Sequence, residues 1–245
     1  MNAILKYALK CASVPALVVS LAMPAQAGVN LPVHKEVLDN GLTVLLHPNR
    51  QAPTVSCRLF YVTGSVHEVP GKSGLAHILE HELFKGTKKV GVTDSIADAA
   101  FMAREDSLQA LIRPARLAGD TATVKKLTAE HDSLLNEQRK LFVKDELWGA
   151  YQSAGGTGLN AFTTDLMTAY IVTLPKDKIE LFMWLESDRM QNAVLREFYS
   201  ERDVVREERR MRYDDKPTGR YIETLNSMIY EACPYRVPTI GWPSD

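Results

Sequence analysis

The feature that most limits the fold of this chain is a glycine-poor stretch, residues 95–150. It contains only Gly119 and Gly149 and is rich in good helix formers such as Ala, Leu, Lys and Glu. Its first half carries an apolar stripe of Leu108, Leu111 and Ile112. Its second half has the alternating three- and four-residue steps of a coiled-coil seam: Val124, Leu127, His131, Leu134, Gln138 and Leu141. Pro114 and Gly119-Asp120 interrupt the pattern, so we predict a long antiparallel helical hairpin in which His131 packs rather than binds a ligand.

Segments typical of strands lie on both sides of this hairpin. Asn40-Gly41 predicts a tight turn between strands at residues 37–42 and 43–47. Further strands, rich in β-branched and aromatic residues, are predicted at 54–63, 159–163 and 169–174. Helices are predicted at 75–84, 178–190 and 197–213, followed by a Pro-rich tail at 234–245. The pattern favours an α+β fold: an antiparallel sheet with helices packed on it, plus the hairpin.

The first 27 residues have the pattern of a signal peptide. Lys6 and Lys10 precede an apolar run that ends in Ala25-Gln26-Ala27, a typical cleavage site. The run is too short to span a bilayer comfortably, so we expect an exported chain, periplasmic or secreted, with no stable membrane anchor after cleavage. A net charge of -1 excludes the basic footprint of nucleic-acid binding. After cleavage Cys57 and Cys233 remain, either as a disulfide or as two free thiols.

A group of residues suited to metal chemistry stands at His77-Ile78-Leu79-Glu80-His81. On a helix, positions four apart share a face, so the two imidazoles converge on one point. Zinc binds neutral imidazole well, and a catalytic zinc site has three protein ligands and one open position. Glu80 lies on the same side, where its carboxylate could take a proton from water. H-x-x-E-H is the known inverzincin pattern.

Three blocks of this sequence resemble the insulinase/pitrilysin family of zinc peptidases, which includes mitochondrial processing peptidase. They are residues 73–87 (SGLAHILEHELFKGT), 159–164 (LNAFTT) and 201–210 (ERDVVREERR). The resemblance implies one zinc ion per chain, bound by His77, His81 and Glu208. It implies that Glu80 is the general base and that Glu201 is a supporting carboxylate. Extended peptides would add to the strand formed by Asn160, Ala161, Phe162 and Thr163.

The chain departs from the family pattern in two ways. Glu208 follows His81 by 127 residues (208 minus 81), far more than is usual in the family, and the predicted hairpin accounts for the excess. Because the seam predicts self-contained packing, we expect the hairpin to be dispensable for zinc binding. Second, family members pair this domain with a similar metal-free one, so we expect residues 28–245 to be one half that needs a second domain or partner chain.

Helix phase distinguishes Glu208 from its neighbour Glu207. Steps along the helix from Glu208 reach a mainly apolar face: Glu201, Val204, Val205, Met211 and Arg212. The same steps from Glu207 reach only charged residues: Asp203, Arg210 and Asp214. A carboxylate among valines is costly unless it is paired or metal-bound, which favours Glu208 as the ligand and leaves a salt bridge to an Arg as its alternative.

The sequence therefore predicts a zinc endopeptidase or oligopeptidase acting on extended peptides or unfolded segments. The first alternative is a non-catalytic scaffold or partner subunit of the same fold, which would have lost a ligand or the base. The second is a helical-hairpin adaptor in which the motif is coincidental. Bound zinc would exclude the adaptor, and peptide turnover would exclude the scaffold.

Overall fold

A computed structural model describes residues 31–245, which form two compact units divided after Gln51. The signal-peptide segment predicted at residues 1–27 lies outside the described residues. In the first unit, strands β1 (His34–Val37) and β2 (Thr43–Leu46) form an antiparallel hairpin. The turn has a left-handed residue, Gly41, with φ of 85°, which confirms the Asn-Gly turn.

The second unit contains a three-stranded antiparallel sheet in the order β3-β5-β4. The strands are β3 (Thr54–Tyr61), β4 (Thr157–Thr163) and β5 (Thr168–Pro175). The central strand β5 is the most deeply buried, whereas β4 pairs on one side only with another strand of the described residues. The α+β prediction is confirmed, and β4 is an edge strand.

Two long helices form the hairpin: α2 (Ser95–Leu117) and α3 (Thr121–Gln138). They are antiparallel, because Gln138 Nε2 donates to Asp98 Oδ1 at 2.9 Å and Arg104 Nη2 donates to Glu130 Oε1 at 2.7 Å. The predicted far boundary at residue 150 is wrong, since α3 ends at Gln138 and a separate helix α4 (Glu146–Ser153) follows. That the hairpin is an insertion relative to other family members stays a prediction.

Two details of the predicted hairpin also differ. Pro114 does not end α2 but lies inside its last turns, where the carbonyl it leaves unpaired belongs to the exposed residue Ala110. Leu111 is 56% exposed, so the buried stripe consists of Leu108 and Ile112 without it. His131 is buried against the Tyr199 ring, as predicted for a packing residue.

The remaining helices are α1 (Leu75–Glu82), α5 (Ile179–Asn192), α6 (Phe198–Arg209) and α7 (Pro217–Ile229). A π-helical turn, Arg210–Asp214, extends α6. Helix α7 was not predicted from the sequence. None of the helices described between residues 31 and 245 is both long enough and apolar enough to cross a membrane.

Two clusters of buried side chains hold the second unit together. The larger joins the sheet to α4 and α5 through Cys57, Val90, Leu147, Tyr151, Val172, Leu174 and Leu185. The smaller joins α1 to α6 and the C-terminal segment through Ile78, Val205 and Ile240. The smaller cluster brings together the two helices that carry the candidate site. Cys57 and Cys233 are both free thiols.

Candidate metal centre

Helix α1 is fixed at its N-terminus by contacts from outside the helix. It begins after Gly74, whose left-handed φ of 87° turns the chain into the helix. The carboxylate of Glu68 accepts from two amides of the first turn, Gly74 at 2.8 Å and Ala76 at 2.7 Å. The C-terminal segment packs here as well, since Ser73 Oγ donates to Asp245 Oδ2 at 2.7 Å. These contacts fix the direction of the α1 face that carries His77 and His81.

The three predicted ligands come together at the contact between α1 and α6. His77 Nε2 lies 3.7 Å and His81 Nε2 3.6 Å from the same atom, Glu208 Oε2. Their ligand atoms all lie within 4.8 Å of one another. The imidazole rings are 4.9 Å apart and nearly perpendicular, at 75°. Tetrahedral zinc with bonds of about 2.0–2.1 Å separates its ligand atoms by roughly 3.3 Å, so this spacing fits the ion with small adjustments.

The hydrogen bonding of the three side chains also fits a metal. The two separations to Glu208 Oε2 exceed the length of a hydrogen bond, and this buried oxygen has no hydrogen-bond partner among the described residues. Its other oxygen, Oε1, pairs with Arg212 Nη2 at 2.7 Å. The salt bridge that was the alternative role for Glu208 thus occupies one oxygen and leaves the other facing both histidines.

The protonation of the histidines follows from their surroundings. Burial lowers the pKa of His77 to about 4, against the opposing attraction of Glu208. The ring is therefore neutral at neutral pH, as a metal ligand must be. The hydrogen bond with Glu201 raises the pKa of His81, and the same bond, with help from Lys85, lowers the pKa of Glu201 to about 2.

Glu201 holds one of the histidine rings in place. Its Oε2 lies 3.3 Å from His81 Nδ1, so the ring presents Nε2 to Glu208. A carboxylate on the far nitrogen of a metal-ligating histidine fixes the tautomer and orientation of that ring. The structure therefore places Glu201 on the Nδ1 side of His81, away from the Nε2 atom that faces Glu208.

Glu80 lies beside the cluster and is held by the edge strand. Thr163 Oγ1 donates to Glu80 Oε2 at 2.5 Å. Burial raises the pKa of Glu80, and the bond from Thr163 opposes that rise. The structure thus gives Thr163 a contact that the sequence did not indicate. The other residues predicted to bind peptide differ in exposure: Asn160 and Phe162 are exposed on β4 and Ala161 is half-buried.

The predicted phase of α6 is correct for the carboxylates but not for all of its apolar residues. Glu207 points away from the cluster and bridges to the exposed residue Arg210 at 2.5 Å. Val205 is buried, whereas Val204 and Met211 are 50% and 52% exposed. The apolar face is therefore narrower than predicted, because only the α1 side of the helix is covered.

Arg212, which the sequence places on the Glu208 face, is the Arg that pairs with that residue, one helical turn away. Two other charged residues around the site were missed by sequence reasoning. Lys85 follows His81 at the same spacing and pairs with Glu201 at 2.6 Å. Glu82 is completely buried, and burial raises its pKa to about 8. At neutral pH it is therefore largely uncharged, which limits the negative charge next to Glu201.

Comparison with known proteins shows which family part of the sequence matches. Residues 43–102 match the model of the family described as "Insulinase (Peptidase family M16)". The match contains His77, Glu80 and His81. The family resemblance stated from the sequence is thereby confirmed, and the chain is homologous to zinc proteases of this family.

The individual relatives are bacterial. The chain is 28% identical over 235 residues to "Zinc protease PqqE" of Helicobacter pylori, covering 94% of this chain and 40% of that protein. A crystal structure of a protease from Helicobacter pylori has a TM-score of 0.62 at 25% identity, over 86% of this chain and 39% of the other. The first half of the periplasmic protease PqqL from Escherichia coli shares the fold, with a TM-score of 0.57 at 20% identity, over 86% of this chain and 36% of the other. The chain thus spans about 40% of the length of PqqE.

Proposed function

We propose that this chain is the zinc-binding half of an exported metallopeptidase that hydrolyses extended peptides or unfolded segments. The observation that carries the proposal is the convergence of His77, His81 and Glu208 beside Glu80. The homologous zinc proteases support the metal and the reaction class. Export is supported by the periplasmic PqqL, which shares the fold, and by the signal-peptide pattern of residues 1–27.

The residues of the chain have distinct tasks in this reaction. His77, His81 and Glu208 would hold one zinc ion, which would supply a Lewis acid that activates water and polarises the scissile carbonyl. Glu80 accepts a proton from the attacking water and delivers it to the leaving amine. We assign Oε1 of Glu80 to this transfer, because Thr163 already engages Oε2.

The edge strand β4 is the proposed site for the substrate backbone. It pairs with β5 on one side, and Thr163 at its end contacts Glu80, so a peptide added along β4 would pass the metal centre. Main-chain hydrogen bonds give affinity in this mode of binding and do not depend on the substrate's side chains. This is consistent with an enzyme that acts on extended segments of varied sequence.

We propose that a second homologous domain or a partner chain covers the site from the other side. Helix α7 exposes an apolar stripe that could contact such a domain: Tyr221, Ile222, Leu225, Met228 and Ile229 are 38–73% exposed. Without this second domain or partner, the substrate would be held from one side only and the site would be open to water. These 245 residues alone should therefore hydrolyse peptides slowly. Vigorous turnover by the monomeric chain would contradict the need for a partner.

The test of the proposed function compares zinc content and peptide hydrolysis in two variants. Wild-type protein should contain one zinc per chain, lose activity on chelation and regain it when zinc is added. Glu80→Gln should keep the zinc and lose hydrolysis of a fluorogenic peptide, because Gln cannot accept the proton. Glu207→Gln, on the exposed side of α6, is the matched control and should behave like wild type.

Each result has a distinct meaning. A chain that binds zinc but cleaves no peptide, even with its second domain present, would be the non-catalytic scaffold. A chain that binds no zinc would not be an enzyme of this kind, which would leave the scaffold that has lost a ligand and the helical-hairpin adaptor. Appreciable turnover by Glu80→Gln would remove Glu80 from the role of base.

A further inference from the structure

Lys85 lies four residues after His81, just past the end of α1, and pairs with two carboxylates. Its Nζ is 2.6 Å from Glu201 Oε1 and 3.3 Å from Glu197 Oε2. The other oxygen of Glu201 is the one that holds His81 Nδ1 at 3.3 Å. The ammonium group therefore fixes the carboxylate that in turn orients the ring of His81. These carboxylates are 12% exposed, so solvent screens their interactions only weakly.

The path continues from Lys85 to the base of the helical hairpin. Glu197 Oε1 accepts from Arg139 Nε at 2.8 Å, and Arg139 is the C-cap residue of α3. Glu197 also has a left-handed backbone, with φ of 60°, at the position preceding α6. A non-glycine residue keeps this conformation only where its surroundings hold it. Arg139 thus fixes the start of the helix that carries Glu201 and Glu208.

A second path reaches the backbone of Lys85 from the other helix of the hairpin. The buried guanidinium of Arg196 donates to Lys85 O at 2.6 Å, to Thr87 O at 3.0 Å and to Asp98 Oδ2 of α2 at 3.0 Å. Gly91 is packed against both partners of this hydrogen bond, because a Cβ at this position would lie 2.7 Å from Lys85 O and 3.1 Å from Arg196 Nη1. Both helices of the hairpin are therefore linked to Lys85. Asp98 of α2 is linked to the Lys85 backbone through Arg196, and Arg139 at the end of α3 is linked to the Lys85 side chain through Glu197.

We propose that Lys85 is a positioning residue for the metal ligand His81, and that the base of the hairpin holds Lys85 in place through Arg139 and Asp98. This rests on the proposed function, since it assigns a role at the same metal centre. It also restricts the expectation that the hairpin is dispensable for zinc binding to the tip of the hairpin. Loss of residues 95–150 would remove both anchors, whereas loss of the tip alone would remove neither.

The test measures the zinc dissociation constant of the purified chain by competition with a chromophoric chelator. Lys85→Met, which keeps the length of the side chain but not its charge, should bind zinc up to about 10-fold more weakly, because losing a direct partner of a metal ligand costs roughly 10- to 100-fold and Lys85 acts through that partner, Glu201. Lys85→Arg should recover most of the affinity. The matched control is Lys89→Met in the same loop, where Lys89 is 62% exposed and pairs with Asp188 instead, and its affinity should equal that of wild type.

The link to the hairpin is tested in the same assay. Arg139→Met should weaken zinc binding by a smaller factor, while Lys140→Met, at the adjacent and more exposed residue, should not. In the Lys85→Met background, Arg139→Met should add less loss than it causes alone, because the path through Lys85 is already broken. Independent, additive losses in the double variant would overturn the link.

The outcomes distinguish failure of the positioning role of Lys85 from failure of the proposed function. Urea unfolding of the metal-free protein shows whether a variant is merely less stable. If Lys85→Met lowers stability but binds zinc as tightly as wild type, Lys85 only supports the fold and the inference is overturned while the proposed function stands. If wild-type protein takes up no zinc, the proposed function fails and the positioning role fails with it.

Discussion

Replacing Glu208 by Gln tests the metal centre most directly. Its Oε2 faces both histidine Nε2 atoms, at 3.7 and 3.6 Å, and Gln removes the negative charge while keeping the shape. Zinc sites with four protein ligands gain roughly 10–16 kcal/mol on binding, so each ligand contributes about 3 kcal/mol. Loss of one ligand on that scale weakens zinc binding by about a hundredfold. We expect this loss for Glu208→Gln.

Glu207→Gln is the control that the helix itself provides. The adjacent residue is rotated by about 100° around the axis, and its carboxylate bridges to Arg210 on the exposed side. It contacts none of the ligand atoms, so zinc affinity should stay within about twofold of the wild-type value. Both substitutions change one carboxylate to an amide at neighbouring positions, which makes the comparison independent of net charge.

The assay is competition between each protein and a chelator of known zinc affinity, at fixed pH and salt. The metal-free variants should unfold in urea near the wild-type midpoint, because Glu208 Oε2 has no hydrogen bond to lose among the described residues, and the ion pairs to Arg212 and Arg210 involve exposed arginines that contribute little stability. Equal zinc affinities for the two variants, or a greater loss in Glu207→Gln, would refute both the phase of α6 and the assignment of the third ligand.

Two further predictions concern the fold around the site and the path of the substrate. Gly86→Ala should lower the free energy of unfolding in urea by at least about 1–3 kcal/mol, because φ is 102° and the new Cβ would lie 2.2 Å from a backbone oxygen. Gly149→Ala, in α4, should raise it by about 0.5–1 kcal/mol, because no atom lies within 4 Å of the new Cβ. A destabilised Gly149→Ala would contradict this. A substrate peptide N-methylated at alternate residues should have a raised KM in one of its two registers, because only one register turns its amides to β4. Equal KM values in both registers would exclude addition to this edge.

The elements with strong local signals were predictable from the sequence. The turn at Asn40-Gly41, the strands rich in β-branched residues and the helix at His77–His81 each depend on neighbouring residues, and each is present. Helix α7 escaped prediction although Pro217 stands at its first position, because Gly219 lies in its first turn and its apolar face is largely exposed. The apolar residues of α7 have helical spacing, but the sequence indicates no segment against which they would pack.

The pairing of charges across the chain could not be predicted in the same way. Lys85 has many carboxylates within reach of a folded chain, and nothing local indicates that Glu197 and Glu201 are its partners. The fold selects them by bringing the end of α1 to the start of α6. The extent of the hairpin was overestimated for a related reason: α4 has the same helix-forming composition as α3, but Leu147 packs into the core of the sheet.

The geometry of the cluster itself argues for a cation over a self-contained group of ion pairs. Side chains that stabilise one another directly approach to hydrogen-bonding distance, as Lys85 and Glu201 do at 2.6 Å. His77, His81 and Glu208 lie nearby and stop about 1 Å short of that, with one buried oxygen left unpaired among the described residues. An unpaired buried carboxylate oxygen is costly, and a cation bound by the three groups would remove that cost. Lys85 and Thr163 engage the neighbouring carboxylates of Glu201 and Glu80, and Arg212 engages the other oxygen of Glu208. These three residues therefore hold the cluster in the spacing that a zinc ion would stabilise.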